Sequence, residues 1–367
     1  MTRRKVFFVV SWMGRGGTER HVLDLVWSSH PDHADCTVVC LSDQAGELAD
    51  EVVATGARLV VLGIRREHFA RGMVTLARIL RRERPDAVYA LGFHQYCVAL
   101  PIARVLLPSA ARLAGRQHLP EFDISPLPGS RRLRFVADAV SDLVIGNSQA
   151  VRDAWLSENP RLEGRLLVVP NGLRLIDSRP EERSVDGRLR ITYTARLVDW
   201  KGHRVLVDAL KKLEDRDDWR ADFVGGGPEH DALERQVADL GLAGRITLRG
   251  SLPPEQVHAV VSASDLFALP SFGEGMPNAM MEAMAYGVPC VATNVAGVRE
   301  LLGTGAGLIV PPRDADAMAG AIARMLDDPG LRRSAGAEGE RLIHERHTVD
   351  GMRDATLAAV ERAIGSQ

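Results

Sequence analysis

No stretch of the 367 residues approaches the ~20 consecutive apolar positions that a membrane-spanning helix needs. The first apolar run, Lys5–Val10, is short. Gly14–Gly17 follows it where a leader would carry a small-residue cleavage site, so the run reads as a buried strand. Both absences point to the cytoplasm. Cysteine is scarce, with four residues and no CxxC pair. Cys36 and Cys40 share an apparent strand, which sets their Cα atoms ~13 Å apart, too far for a disulfide. They read as small core residues in a reducing compartment. Charge of one sign is not in excess either. The formal net charge of −2 offers no basic field for nucleic acid.

What is present suits a soluble two-domain enzyme. Hydrophobic residues make up 46% and charged residues 26%, and the length exceeds one ordinary core. Short apolar runs alternate with longer amphipathic stretches. In the first half, strands are expected at Lys5–Val10, Cys36–Leu41, Arg58–Leu62, Asp86–Leu91, Arg112–Arg116, Asp142–Gly146 and Leu166–Val169. Helical patterns lie between them, among them Thr18–Ser29, Glu67–Arg84 and Gln149–Glu158. Residues 177–188 (DSRPEERSVDGR) then break the pattern with a linker composition. Alternation resumes at Arg190–Ala195, Ala221–Gly225, Arg245–Arg249, Asp265–Leu269, Cys290–Thr293 and Gly307–Val310. Helical patterns at Asp314–Asp328, Leu331–Glu345 and Asp350–Ile364 close the chain. Unalternated strands separated by helices mean parallel sheets covered on both faces. The fold class is α/β, with two Rossmann-like domains expected to face each other across a central cleft. The expected limits are 1–175 and 176–347, with a terminal helix at about 348–367 packing back on the first domain. Ligands in such sheets bind beyond the strands' carboxyl ends.

Residues 271–287 (SFGEGMPNAMMEAMAYG) carry the functional argument. Gly273 and Gly275 allow a sharp turn, Pro277 suits a helix's first turn, and Asn278–Tyr286 is rich in helix formers until Gly287 and Pro289 stop it. Backbone N–H groups at such a helix start favour a diphosphate. Glu274 stands before the helix and Glu282 inside it, so one carboxylate can hold sugar hydroxyls and the other a ribose. A solvated glutamate beside a glycine turn is the commoner meaning of any one of these residues; their joint spacing is not common. Arg196 and Lys201 follow a strand and precede a helix, where two cations would offset charge growing on a leaving diphosphate. Gly16 and Gly17 form the first strand–helix turn. A dinucleotide-binding reading is weakened because Glu19 stands where the third glycine of GxGxxG belongs.

The string from Glu274 to Glu282 resembles the EX7E motif of retaining GT-B glycosyltransferases, and nearly the whole chain is similar to their large family 4. Gly16-Gly17-Thr18-Glu19-Arg20 resembles the family's GGAER opening, Asn147-Ser148 with Ala150-Val151 its last N-domain helix start, and Pro170-Asn171-Gly172 its PNG. Arg196 and Lys201 match its basic pair, and Gly225-Gly226-Gly227-Pro228-Glu229 its GxGPE loop. The usual EGFPN reads EGMPN here, with Met276 in place of Phe. The resemblance implies a GT-B hexosyltransferase with retention of configuration and a nucleotide-sugar donor, UDP-linked by family frequency. The acceptor would be a carbohydrate, a lipid-linked glycan or a small molecule. It implies donor contacts from Gly16, Gly17, Arg196, Lys201, Glu274, Gly275, Met276, Asn278 and Glu282. It also implies catalytic roles for His118, Glu274, Arg196 and Lys201. His118 ends a strand in RQHLP, and His94 in YALGFH is a second candidate.

Metal and other cofactors are not expected. His344 and His347 lack a third ligand, and the DxD strings Asp215–Asp217 and Asp314–Asp316 read as solvated surface, the second as a helix cap. Residues 129–135 (GSRRLRF) are basic with apolar interleaving. They favour an ordinary amphipathic helix over weak peripheral contact with the inner membrane face. The rivals to transfer are a GT-B nucleotide-sugar epimerase, a non-catalytic sugar-nucleotide-binding module and, last, an NAD-dependent oxidoreductase.

Overall fold

The computed structural model describes residues 3–64, 69–121, 130–174, 187–303 and 305–366. The expected domain limit at 175/176, most of the polar linker and the first residues of the helix expected from Glu67 lie outside these, as does Gly129. The chain divides into two compact units, residues 1–172 with 348–367, and residues 173–347.

The first unit is a seven-stranded parallel sheet in the order β3-β2-β1-β4-β5-β6-β7. Its strands are β1 (Arg4–Val10), β2 (Ala34–Cys40), β3 (Arg58–Val61), β4 (Ala87–Leu91), β5 (Ala111–Arg116), β6 (Leu143–Gly146) and β7 (Leu166–Val168). Between them run α1 (Gly17–Ser29), α2 (Ala49–Ala54), α3 (Phe69–Glu83), α4 (Phe93–Leu106), α5 (Ser130–Val140) and α6 (Gln149–Glu158). Alternate residues of β1 serve the two faces. Val6, Phe8 and Val10 pack with α1 in one core, while Phe7 and Val9 pack with Leu76, Tyr96 and Trp155 in the other. Burial on both faces is why the strands read as continuous apolar runs.

The second unit repeats the plan with six parallel strands in the order β10-β9-β8-β11-β12-β13. They are β8 (Leu189–Thr194), β9 (Trp219–Val224), β10 (Ile246–Gly250), β11 (Leu266–Leu269), β12 (Cys290–Thr293) and β13 (Gly307–Val310). Helices α7 (His203–Lys211), α8 (His230–Asp239), α9 (Pro254–Ser262), α10 (Asn278–Ala285), α11 (Ala296–Leu302), α12 (Ala315–Asp327) and α13 (Pro329–Arg346) cover it. Asp314 caps α12, its carboxylate accepting from the Ala317 N–H at 2.8 Å. The last helix, α14 (Val349–Gly365), belongs to the first unit, where Met352, Ala359, Val360 and Ala363 join the core around α1 and β1. Each such buried Met or Val contributes ~1.5–3 kcal/mol to holding it there.

None of the cysteines forms a disulfide. Burial raises the thiol pKa of Cys36 and of Cys40 to about 12, which leaves both inert at neutral pH. Among the described residues no helix is long and apolar enough to cross a membrane. In α5, Leu133, Phe135 and Val136 are exposed beside Arg131 and Arg132.

Candidate active site

In each sheet the first strand lies between the second and the fourth. Chain connections leave it in opposite directions, and the loops at that point diverge. Such a switch point is where open α/β sheets bind ligands. In the second unit it falls between β8 and β11. The loop after β8 carries Arg196 and Lys201, and the loop after β11 carries Gly273–Pro277.

The two loops are joined closely. The Phe272 N–H donates to Trp200 O at 2.8 Å. Gly202 ends the short turn Asp199–Lys201 at φ +70°, and a Cβ there would lie 2.1 Å from Pro270 O. Only glycine allows both the left-handed turn and this approach. Lys201 Nζ consequently donates to Glu274 Oε1 at 2.6 Å, and its ammonium lies 4.3 Å from the centroid of the Trp200 ring. The side chains of Lys201 and Glu274 are 18% and 8% exposed, so the pair is half-screened from water yet reachable. Burial, and then the charge of Glu274, pushes the Tyr193 phenol pKa up; its O–H donates to Lys201 O at 3.4 Å. The Arg196 side chain is exposed and makes no ion pair or hydrogen bond among the described residues.

Pro277 is the N-cap residue of α10, one position before the first-turn place its sequence suggested. It contributes no side-chain cap, and its carbonyl accepts from the Met280 and Met281 N–H groups. Gly275 and Met276 are buried, while Asn278 and Glu282 are half-buried on α10. This unit thus brings Arg196, Lys201, Glu274, Gly275, Met276, Asn278 and Glu282 to one switch point, with Lys201 and Glu274 in direct contact.

In the first unit the switch point falls between β1 and β4. Gly16 caps α1 and Glu19 is the helix's third residue. A Cβ at Gly16 would lie 2.1 Å from Glu19 Oε2, so the missing side chain lets that carboxylate fold back on the helix start. Burial raises the pKa of this carboxyl group, against a smaller lowering pull from its own backbone N–H. The first turn of α1 is therefore already covered by the Glu19 carboxyl group. His94 and His118 are both exposed, at the carboxyl ends of the neighbouring strands β4 and β5.

A buried cluster holds the His118 loop. The Trp155 indole N–H donates to His118 O at 2.9 Å. Arg116, the last residue of β5, lies between the Tyr96 ring at 3.7 Å and the Trp155 ring at 4.5 Å and pairs with Asp138. Asp138 also accepts from Asn159 Nδ2 at 2.9 Å. His21 of the GGAER-like opening is fully buried. Burial lowers its pKa to about 4, against a smaller upward pull from the neighbouring Asn171 side chain of the PNG segment.

Residues 15–175 match the Glycosyltransferase Family 4 model, and residues 176–342 match the Glycosyl transferases group 1 model. A GDP-mannose-dependent alpha-(1-6)-phosphatidylinositol monomannoside mannosyltransferase of Mycobacterium tuberculosis is 30% identical over 266 residues, covering 67% of this chain and 68% of its own. This chain belongs to the group 1, family 4 glycosyltransferases. The alpha-D-kanosaminyltransferase of Streptomyces kanamyceticus is 32% identical over 187 residues, 50% of this chain and 48% of its own. The chain spans 33%, 48% and 58% of the length of the first three curated relatives it matches. Anabaena HepE, solved with UDP and glucose, superposes with a TM-score of 0.83 at 20% identity, covering 98% of this chain and 100% of that one. At that identity the likeness establishes the GT-B fold of this glycosyltransferase.

Sequence reasoning did not single out Trp12, Trp155 or Trp200. Trp200 had a visible signal, since it directly precedes Lys201. Trp155 had none, because its contacts with Arg116 and His118 are made across more than thirty residues of chain.

Proposed function

We propose that the protein is a retaining, metal-independent hexosyltransferase that moves a sugar from a UDP-sugar to a hydroxyl of a carbohydrate, lipid-linked or small-molecule acceptor in the cytoplasm. The observation that carries the reading is the Lys201–Glu274 contact at the second sheet's switch point, with the unpaired Arg196 on the same loop. Arg196 and Lys201 supply the positive charge that a departing diphosphate needs. A guanidinium can fork onto two phosphate oxygens, and the ammonium acts as a point charge. Glu274 exchanges its lysine contact for sugar hydroxyls, and Glu282 takes the ribose diol. On the first unit, His118 orients the acceptor hydroxyl.

In a front-face course, the acceptor oxygen bonds to the anomeric carbon on the side from which the phosphate oxygen leaves. The departing phosphate takes the acceptor's proton. No separate base is then required, and neither is a metal. The choice of UDP follows HepE and family frequency; GDP-mannose, named for the mycobacterial relative, is the competing donor.

A thermal-shift panel of UDP- and GDP-sugars names the donor, because a ligand bound to the folded state raises its stability by mass action. The product's anomeric configuration by NMR tests retention: an inverted anomer sinks it. Turnover should survive exhaustive chelation, and loss that divalent ions restore would remove the metal-independent assignment.

A further inference from the structure

The carboxyl edge of the first sheet carries an exposed aromatic residue that the donor chemistry leaves unused. Trp12 stands two residues beyond the end of β1 and is 37% exposed. A Cβ at Gly14 would lie 2.8 Å from Cε2 and 2.9 Å from Cζ2 of the indole, so the ring rests against that glycine. The backbone on both sides is fixed. The Met13 N–H donates to Ala45 O, and Met13 O accepts from the Leu48 N–H, each at 2.7 Å. The Ser11 N–H donates to the Gln95 side-chain oxygen at 3.1 Å, and the Gln95 nitrogen donates to Leu91 O and Gly92 O. The loop bearing Trp12 is thereby tied to the start of α4, where His94 is exposed. The Trp12 indole N–H makes no hydrogen bond among the described residues. A large apolar ring held in place, part open to solvent and with an unused donor, is suited to a ligand that is apolar on one face and hydroxylated at its rim.

We propose that Trp12 is the acceptor platform and that the acceptor presents a six-membered polyhydroxylated ring, a sugar or a cyclitol, whose C–H face lies on the indole. This rests on the reading that the first unit takes the acceptor. The rim hydroxyls have three polar groups on the same sheet edge: the indole N–H and the exposed imidazoles of His94 and His118. These follow the adjacent strands β1, β4 and β5. Strand spacing puts the three ends over ~10 Å, about the length of one to two sugar rings. The start of α1 beside this edge is already covered by the Glu19 carboxyl group.

The test is saturation-transfer NMR of methyl β-D-glucopyranoside and myo-inositol on the UDP-loaded full chain, with acceptor and donor KM from initial rates. Trp12→Ala and Trp12→Leu should abolish the transfer and raise the acceptor KM about tenfold, leaving the donor KM and the UDP-induced thermal shift within about twofold. Trp12→Phe should keep most of the transfer. Trp27→Phe, which removes the exposed indole of α1, should change nothing. Wild type that saturates neither probe, or a Trp12→Ala variant that binds them undiminished, overturns the proposal. So does loss of UDP binding in step with loss of the ring ligand. A wild type that ignores UDP yet saturates the ring probes would defeat the donor reading and uphold this one.

Discussion

Each unit pairs an acid with a basic residue at a strand's carboxyl end or in the loop that follows it, and the two pairs do opposite jobs. Arg116–Asp138 in the first unit is fully buried, its guanidinium between two aromatic rings. Lys201–Glu274 in the second keeps part of each side chain open. The first pair is spent on shape. It holds the end of β5, and with Trp155 it fixes the His118 carbonyl. The second pair stands at the edge itself, ready to exchange partners. The same strand order puts a ligand edge at the same place in both sheets; the residues at the edge decide whether it suits a diphosphate or a neutral ring.

The largest effect should come from breaking the buried pair. Asp138→Ala strands the Arg116 charge and should cost about 3–5 kcal/mol in urea unfolding. UDP should still raise the melting temperature of whatever remains folded. Breaking the other pair should give the converse. Lys201→Ala and Glu274→Gln should each lower the transfer rate by roughly 10²–10³ with little change in unfolding. UDP binding divides those two variants: Lys201→Ala loses it, and Glu274→Gln keeps it or gains, since a carboxylate beside a diphosphate repels it. Equal stability losses in Asp138→Ala and Lys201→Ala would erase the distinction between the pairs.

Acid should weaken the first unit in a way traceable to one residue. The His21 pKa is lowered to about 4 by burial, from an ordinary value of 6.5. The unfolded chain therefore takes up a proton below pH 6.5 that the folded chain refuses. Stability is full above that pH and falls as the pH drops toward 4, by roughly 3 kcal/mol in total. Denaturation midpoints across that range should flatten in His21→Gln; an unchanged slope would assign the acid sensitivity elsewhere. The smallest effect is expected from Glu282→Gln. It should raise the donor KM about tenfold and leave the acceptor KM alone, as loss of one charged hydrogen bond to a ribose would.

Much of this architecture was legible in the residue order. All thirteen expected strands are present, each within two residues at either end. Parallel strands buried on both faces leave continuous apolar runs that glycine and polar turns punctuate sharply. Helix α4 was harder. Its sequence FHQYCVALPIARVL is apolar on most sides and contains Pro101, so it shows no clean 3.6-residue period. Glu274 and Lys201 were each legible as candidates, but their contact was not. They are 73 residues apart, and only the strand order that sets β8 beside β11 brings them together. The occupied start of α1 was similarly hidden. The glycines at 16 and 17 signal an open turn, whereas the rotamer of Glu19 closes it.

The placement of α14 reverses the usual timetable of synthesis. A chain emerging from a ribosome normally completes its domains from the N-terminus onward. Here residues 173–347 form an uninterrupted unit, while the unit begun at residue 1 takes part of its core from Met352, Ala359, Val360 and Ala363. The first half of the nascent chain must wait, with the faces of α1 and β5 that α14 covers left open, until the second half has been made. Pulse-chase proteolysis should find residues 173–347 protected before the N-terminal sheet is.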